Sequence, residues 1–323
     1  MPRAPKLPQI DTEERFLAQV AWAYYVERLT QERVAEKLGA TRLRVNKALS
    51  DAHRRGLVRI TFNTAFAACA ELEAALKARF ALKQAYVAPA PMETRDIQMI
   101  VGAALGNLLS EVLADPKVRL FGMSWGGTLN IATRFVAAME RPDLEVISVM
   151  GGLTQGSDLN SFEITTRLAD LMGAQHSYFT APLYAGSRDS RDTIMQLDVF
   201  RDVLEKLRSV DAMAMAAGDL SKRSLLMRDG LPGDVTMEEL IALGGVGDVL
   251  GTVIDAEGRA LEHPINERVI GIGLDDLLRI PNVILAAGGS HKVAVNRAIL
   301  RRGVVDTFVT DEASARALLE TKP

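Results

Sequence analysis

The chain has 323 residues, 48% hydrophobic and 24% charged, which is enough apolar material for a sizeable core and excludes disordered and low-complexity classes. A single cysteine, Cys69, excludes an internal disulfide, and beside only four histidines it leaves no usual four-ligand zinc site, so neither metal nor cofactor is expected. Lys+Arg total 38 against 41 Asp+Glu, a net charge of -3. No stretch reaches about 18 uninterrupted apolar residues, and the start MPRAPKLPQIDTEE lacks a signal-peptide core, so a cytoplasmic protein is expected.

The near balance of charge conceals an asymmetry. Residues 1–60 hold 12 Lys+Arg and 7 Asp+Glu, a net of +5; residues 61–323 hold 26 and 34, a net of -8. Six of the basic side chains (Arg42, Arg44, Lys47, Arg54, Arg55 and Arg59) fall within residues 41–60 beside one acid, Asp51. A polyanion-binding head on an acidic body is one reading of this pattern, and a solvated helix face is the other.

In chain order, Pro2, Pro5 and Pro8 mark a terminal arm. Phe16, Leu17, Val20, Ala21 and Tyr24 then lie on one face of a helix running to about Arg28. Thr30 is placed to cap a short second helix with Val34, Ala35 and Leu38 inward, and Gly39 to end it. Thr41 is placed to cap a third helix whose buried stripe is Val45, Ala48, Leu49 and Ala52, with Gly56 as its stop and Leu57–Thr61 as a wing strand. This layout is that of a helix-turn-helix, with residues 1–60 as a DNA-binding domain.

Helical geometry selects the DNA-facing residues of such a head. Arg42, Leu43, Arg44 and Asn46 near the start of the third helix are candidates for base edges: arginine pairs with guanine, asparagine with adenine, and an apolar side chain touches a thymine methyl. Lys47 and Arg54, with Gln31 and Thr41 at helix starts, are candidates for phosphate contacts. A three-helix oligomerisation module with a charged face is the competing reading.

Residues 61–323 change texture. A helix over Glu71–Phe80 leads into apolar runs at Val118–Ser124, Glu145–Met150, Gln175–Thr180, Asp211–Ala217, Asp248–Ile254, Val269–Gly273, Val283–Ala287 and Thr307–Thr310. Helical patterns at Ile97–Leu113, Thr128–Met139, Ser161–Met172, Ile194–Leu207 and His291–Arg301 lie between them. The alternation predicts an α/β domain on a mainly parallel sheet.

Glycine-rich turns follow several of these strands. Ser124-Trp125-Gly126-Gly127-Thr128 combines backbone amides and hydroxyls at a strand-to-helix turn, which suits an anion, although ordinary tight-turn chemistry also accounts for it. Gly151-Gly152 and Gly218-Asp219 end two further runs. Asp248, after Gly245-Val246-Gly247, is an acceptor for hydroxyls or an exposed turn aspartate. In Ala286-Ala287-Gly288-Gly289-Ser290-His291-Lys292 the lysine stands at a helix start, which the helix dipole does not favour and a phosphate would. Thr310 and Asp311 are placed to cap the last helix.

Taken together, the head segment AYYVERLTQERVA at 23–35 and these turns, in the same order from about residue 13 to 320, resemble the SorC family of bacterial transcriptional regulators, sometimes grouped with DeoR-type regulators. The resemblance implies a helix-turn-helix joined to an effector domain similar to sugar-phosphate isomerases and deaminases, and a phosphorylated sugar or polyol as effector. It implies Ser124, Trp125, Gly126, Gly127, Thr128, Gly151, Gly152, Gly218, Asp248 and Lys292 as effector-binding residues, double-stranded operator DNA as partner, and a dimer or tetramer. Ser124, Asp219 and His291 depart from the family pattern. A sugar-phosphate isomerase or aldolase is the alternative function, since a lysine forms Schiff bases with carbonyl substrates. The basic head has no use in such an enzyme.

Overall fold

The structure, a computed structural model, describes residues 12–27, 29–55, 57, 65–89, 97–153 and 161–320. It divides into two compact units, Met1–Asn63 and Thr64–Pro323.

In the first unit, α1 (Thr12–Ala21) passes into a wide π turn at Trp22–Val26 instead of continuing as one regular helix. Helices α2 (Gln31–Lys37) and α3 (Arg42–Arg54) follow. The caps form as their chemistry dictates: Thr30 Oγ1 accepts from the Arg33 amide at 3.4 Å, and Thr41 Oγ1 accepts from the Arg44 amide at 3.2 Å. Gly39 adopts φ +60°, the left-handed conformation that ends a helix without a Cβ penalty. Val20, Val34 and Val45, one from each helix, are wholly buried and hold the three together with Leu17, Ala48, Leu49 and Ala52. The terminal arm, Gly56 and the wing expected at 57–61, apart from Leu57 itself, lie outside the described residues, as does the side chain of Arg54.

The second unit is built on a seven-stranded, wholly parallel sheet in the order β1-β10-β9-β5-β2-β3-β4. Its strands are β1 (Gln84–Ala88), β2 (Leu120–Met123), β3 (Glu145–Ser148), β4 (Gln175–Ser177), β5 (Ala212–Met215), β9 (Val283–Ala286) and β10 (Thr307–Asp311). Buried on both faces, the strands read as apolar runs, and their side chains alternate between two cores. Met213, Met215, Val283, Leu285 and Phe308 face α4 (Ala65–Phe80), α9 (Asp198–Leu207), α11 (Val293–Arg301) and α12 (Glu312–Glu320). Ala212, Ala214, Ile284, Ala286 and Val309 face α5 (Ile97–Ala114) and α7 (Ser161–Met172). Helix α5 is long and apolar enough to cross a membrane, but here Val101, Leu105, Leu109 and Leu113 are wholly buried in that second core.

Topology then fixes where a ligand can enter. From the central strand β2 the chain winds outward through β3 and β4; it returns to β5, beside β2, and winds the other way through β9 and β10. The loops after β2 and β5 therefore part in opposite directions, opening a crevice at the strands' carboxyl ends.

Several elements differ from the sequence reading. The run at 211–217 breaks at Ala216, and β6 (Ala217–Asp219) leaves the main sheet to join a small antiparallel one with β7 (Gly247–Val249) and β8 (Thr252–Ile254). The run at 248–254 is thus a hairpin, turned by Leu250 at φ +55° and Gly251 at φ +79°. The Tyr184 hydroxyl donates to the Gly251 carbonyl at 2.5 Å and holds that turn. Val269–Gly273 makes isolated bridges, Met150 with Gly271 and Tyr184 with Val269, and no strand. The helix begun near Thr128 is short, α6 (Gly127–Ala132), with the Thr133 hydroxyl donating to the Asn130 carbonyl just beyond it. The pattern at 194–207 is two helices, α8 (Arg188–Gln196) and α9, parted by Leu197 at ψ 137°. The remaining short helix is α10 (Met237–Ala242). Strand β1 was not expected; it is a five-residue edge followed at once by Pro89.

Candidate functional site

In the first unit, α3 buries one face and exposes the other. Arg42, Leu43, Arg44, Asn46 and Lys47 are exposed, Leu43 by 81%, while Val45, Ala48 and Leu49 turn inward. Thr41 is exposed and Gln31 half-buried at their helix starts. The side-chain order predicted for a DNA-reading face is therefore present. One member is engaged already: the Arg44 guanidinium lies over the Phe16 ring, 4.5 Å from its centroid. That stack fixes the direction from which Arg44 leaves α3, and at an exposed position it is worth about 0.5–1 kcal/mol.

In the second unit, a cavity of about 740 Å³ opens at the crevice between the carboxyl ends of β2, β5 and β9. Three turns build most of its wall. After β2, the Ser124 amide donates to the Ala214 carbonyl at 3.0 Å, carrying the ladder one residue past the strand. Gly126 at φ +139° then swings the chain into α6, and a Cβ at Gly127 would lie 2.4 Å from Gln98 Nε2. The turn is thus closely covered by Gln98, and the first amides of α6 have no partner within the helix.

After β9, Gly289 at φ +99° leads into the turn Ser290–Lys292 and α11. Asp311 holds this loop from beneath. Wholly buried, it accepts from the Gly289 amide at 2.7 Å and from the Ser314 amide and hydroxyl at 3.0 and 2.5 Å. The Thr310 hydroxyl donates to the Ala287 carbonyl at 2.8 Å. The Ser314 bond is the cap expected at the start of α12, and the same carboxylate pins the glycine loop that carries Lys292.

After β5, Ala216–Asp219 and the β7–β8 hairpin complete the polar side. Gly218 faces Asp248 across the β6–β7 ladder, and a Cβ there would fall 2.2 Å from Asp248 Oδ1. Burial pushes the Asp248 carboxyl up to about 6, with the Gly251 amide and the Lys292 charge pulling the other way and Asp219 adding to the rise. Burial likewise pulls Lys292 below the usual lysine range, opposed by Asp219 and Asp248. His291 is lowered, first by burial and then by the charges of Lys292 and Arg223, against the opposing pull of Asp219.

Of the ten residues expected around the effector, Ser124, Trp125, Gly126, Gly127, Thr128, Gly218, Asp248 and Lys292 line this one cavity. Gly151 and Gly152 do not. A Cβ at Gly151 would lie 2.4 Å from the Pro182 carbonyl oxygen, and the two amides donate to the Ile270 and Ala181 carbonyls at 2.9 Å each. Gly151 is thus required by close backbone packing and Gly152 is tied by its amide to Ala181, and Met150 before them reaches the cavity instead. Gln98, Arg223, Ser224 and Arg228 were not foreseen. Arg228 is paired with Asp229 at 2.7 Å, while the Arg223 guanidinium has no ion pair among the described residues. Their signal was the basic segment Lys222, Arg223, Arg228 closely following Gly218-Asp219 in an otherwise acidic domain. Among the described residues no group of three or more His, Cys, Asp or Glu is placed to hold a metal.

The "Putative sugar-binding domain" family model, Sugar-bind, matches residues 64–320. Two curated relatives span almost the full length. The erythritol catabolism regulatory protein EryD of Brucella abortus is 26% identical over 309 residues, 96% of this chain and 98% of that one. The transcriptional regulator LsrR of Klebsiella pneumoniae is 29% identical over 317 residues, 95% of this chain and 93% of that one. Among solved structures, a DeoR family transcriptional regulator from Listeria monocytogenes covers 78% of this chain and 99% of its own, with a TM-score of 0.71 at 25% identity. The full-length sorbitol operon regulator SorC from Klebsiella pneumoniae shares the fold with a TM-score of 0.72 at 22% identity, over 95% of this chain and 99% of that one.

Proposed function

From the chain's membership of the SorC-type family of transcriptional regulators, whose sugar-binding domain it carries over residues 64–320, we propose an assignment of tasks within a protein that is a regulator and not a sugar-phosphate enzyme. Residues 1–60 bind operator DNA through Arg42, Leu43, Arg44 and Asn46 at bases and Gln31, Thr41, Lys47 and Arg54 at phosphates. Residues 61–323 bind a small effector in the cavity at the sheet's switch point.

The observation that carries this reading is the cavity's mixed chemistry. It joins glycine turns, whose first-turn amides have no partner within the helix, and a half-buried lysine, which suit an anion, to two buried carboxylates, which suit hydroxyl donors. A phosphorylated sugar or polyol meets both demands. A neutral sugar meets only one, and the domain's -8 charge gives a phosphate no long-range attraction, so local groups must hold it.

Regulation follows as linkage. An effector that prefers the DNA-competent or the DNA-incompetent state shifts operator affinity by its differential affinity for the two. One small head buries too little DNA surface for high specificity, so the working species is a homo-oligomer, a dimer or tetramer. Its place of action is the cytoplasm, where its relatives' task as regulators is carried out.

The test is a thermal-shift screen of free sugars, polyols and their phosphates, followed by gel shifts on DNA flanking the gene with and without each hit. Binding of a phosphorylated compound that changes operator affinity supports the assignment. Turnover of a hit with no DNA binding would overturn it.

A further inference from the structure

Three buried polar atoms on the cavity wall have no hydrogen-bond partner among the described residues. Asp219, Asp248 and Ser124 are 6%, 8% and 1% exposed, and Asp219 Oδ1, Asp248 Oδ1 and Ser124 Oγ make no hydrogen bond. A buried acceptor left without a donor is destabilising, so atoms of this kind persist where a ligand completes them. The two carboxylates sit on the paired strands β6 and β7 one register position apart, Asp248 opposite Gly218 and Asp219 opposite Gly247; both line the cavity, and the charge of Asp219 adds to the rise at Asp248. Gly218, between them, carries no side chain; a Cβ there would sit 2.2 Å from Asp248 Oδ1 and 3.1 Å from Ser224 Oγ. Lys292 feels both carboxylates but lies more than 4.0 Å from their oxygens.

What can occupy such a place follows from charge. An anion is repelled by two carboxylates. For a metal ion, no third His, Cys, Asp or Glu among the described residues completes a site, and Lys292, His291 and Arg223 line the same cavity. Neutral hydroxyl groups donate to both carboxylates and still leave a lone pair for the lysine.

We propose that Asp219 is a specificity-determining residue: with Asp248 it receives two adjacent hydroxyls of the effector, so that a vicinal diol, and not the anionic group, lies against the β6–β7 end of the cavity. This inference rests on the cavity being the effector site. The anionic group then lies toward the glycine turn of Gly126 and Gly127, away from Asp219.

The test is calorimetry on the full-length protein with glycerol, erythritol, xylitol and sorbitol, each free and as its terminal phosphate. The set includes monodeoxy compounds lacking one hydroxyl at the end remote from the phosphate. For the compound that binds best, deleting a remote hydroxyl is expected to weaken binding to the unmodified protein by about tenfold to a hundredfold. In Asp219→Ala the parent compound is weakened by a similar factor, and the same deletion then has little further effect. Asp219→Asn, of equal size and still an acceptor, recovers part of the affinity, which separates recognition from misfolding.

Unchanged affinity in Asp219→Ala, or an undiminished penalty for the deleted hydroxyl in that variant, overturns the assignment. Loss of binding in Lys292→Ala with none in Asp219→Ala overturns only the role of Asp219. If neither variant weakens the compound, the cavity is not the effector site and the whole reading falls.

Discussion

The two units place their recognition chemistry in opposite ways. In the three-helix unit Arg42, Leu43, Arg44, Asn46 and Lys47, proposed to face DNA, come from the first turns of α3 and stand exposed in water above a small apolar core. In the α/β unit the groups around the cavity come from segments as far apart as Gln98 and Lys292, and the decisive ones are buried or half-buried. The first arrangement suits a long polyanion, met through net charge and the pitch of one helix. The second suits a small molecule, met through a few desolvated groups, and under the proposed assignment its net charge of -8 opposes half of the task. Screening separates them further: exposed charges weaken with salt over a Debye length, whereas buried ones are screened far less. Operator binding should therefore fall steeply with salt and effector binding hardly at all.

The sharpest way to break that contrast is at Lys292. Removing its ammonium takes away the cation that interacts with both Asp219 and Asp248 and leaves the effector only Arg223 and Arg228. Lys292→Ala is expected to cost about a hundredfold to a thousandfold in effector affinity by calorimetry, with operator affinity of the effector-free protein unchanged. A loss of DNA binding in the same variant would show that the two tasks are not separable in this way.

Asp248 comes next, and here function and stability pull apart. Its carboxyl stands at about 6 against the usual 3.8 because burial disfavours the charge. Protons are thus held more tightly in the folded state, and the fold loses stability as pH rises from 3.8 through 6. The whole difference, about 3 kcal/mol at most, is present above pH 6. Asp248→Asn should recover much of it in urea melts at pH 7.5 and almost nothing below pH 4, while weakening the effector. In the unmodified protein, hydroxyl donors favour the ionised carboxylate, so affinity for an unphosphorylated polyol, which carries no ionisation of its own near pH 6, should fall as pH drops through 6; the asparagine variant should lack that step.

On the head, Arg44→Ala should cost about 1–3 kcal/mol of specific operator binding at physiological salt, with effector affinity unaltered. Lys47→Ala should weaken specific and non-specific DNA alike and lower the salt slope by about one. If Arg44 merely stacks on Phe16, its loss will register as a small drop in melting temperature with specific affinity intact. Smallest of all, Gly39→Ala should cost about 1 kcal/mol through its φ of +60° alone, because an added Cβ meets nothing within 4 Å.

The same contrast governs how much the sequence revealed. Thr30, Gly39 and Thr41 are local signals, and α2 and α3 start and stop around them as read, while the first helix passes into a π turn at Trp22–Val26. Lys292 and the Ser124–Thr128 turn were legible because a glycine-rich strand-to-helix turn is also local. Gly151 and Gly152 misled for that reason: a glycine pair after a strand serves backbone packing against Pro182 as well as it serves a ligand. Arg223, Arg228 and Gln98 escaped notice because only the tertiary fold brings them to the cavity. The hairpin within 248–254 was hidden by Leu250, an apolar residue at positive φ where glycine or asparagine is the usual marker. Strand β1 was hidden by its shortness and by the proline beside it.

The central claim is that one chain couples a small-molecule cavity to an operator-reading helix. The most direct measurement is fluorescence anisotropy of full-length protein on its operator, titrated with the phosphorylated polyol that binds best, in the unmodified protein and in Lys292→Ala. The account predicts that the compound shifts operator affinity in the unmodified protein, and that Lys292→Ala binds the same DNA equally well but no longer responds. An unmodified protein whose operator affinity ignores every compound filling the cavity would contradict it.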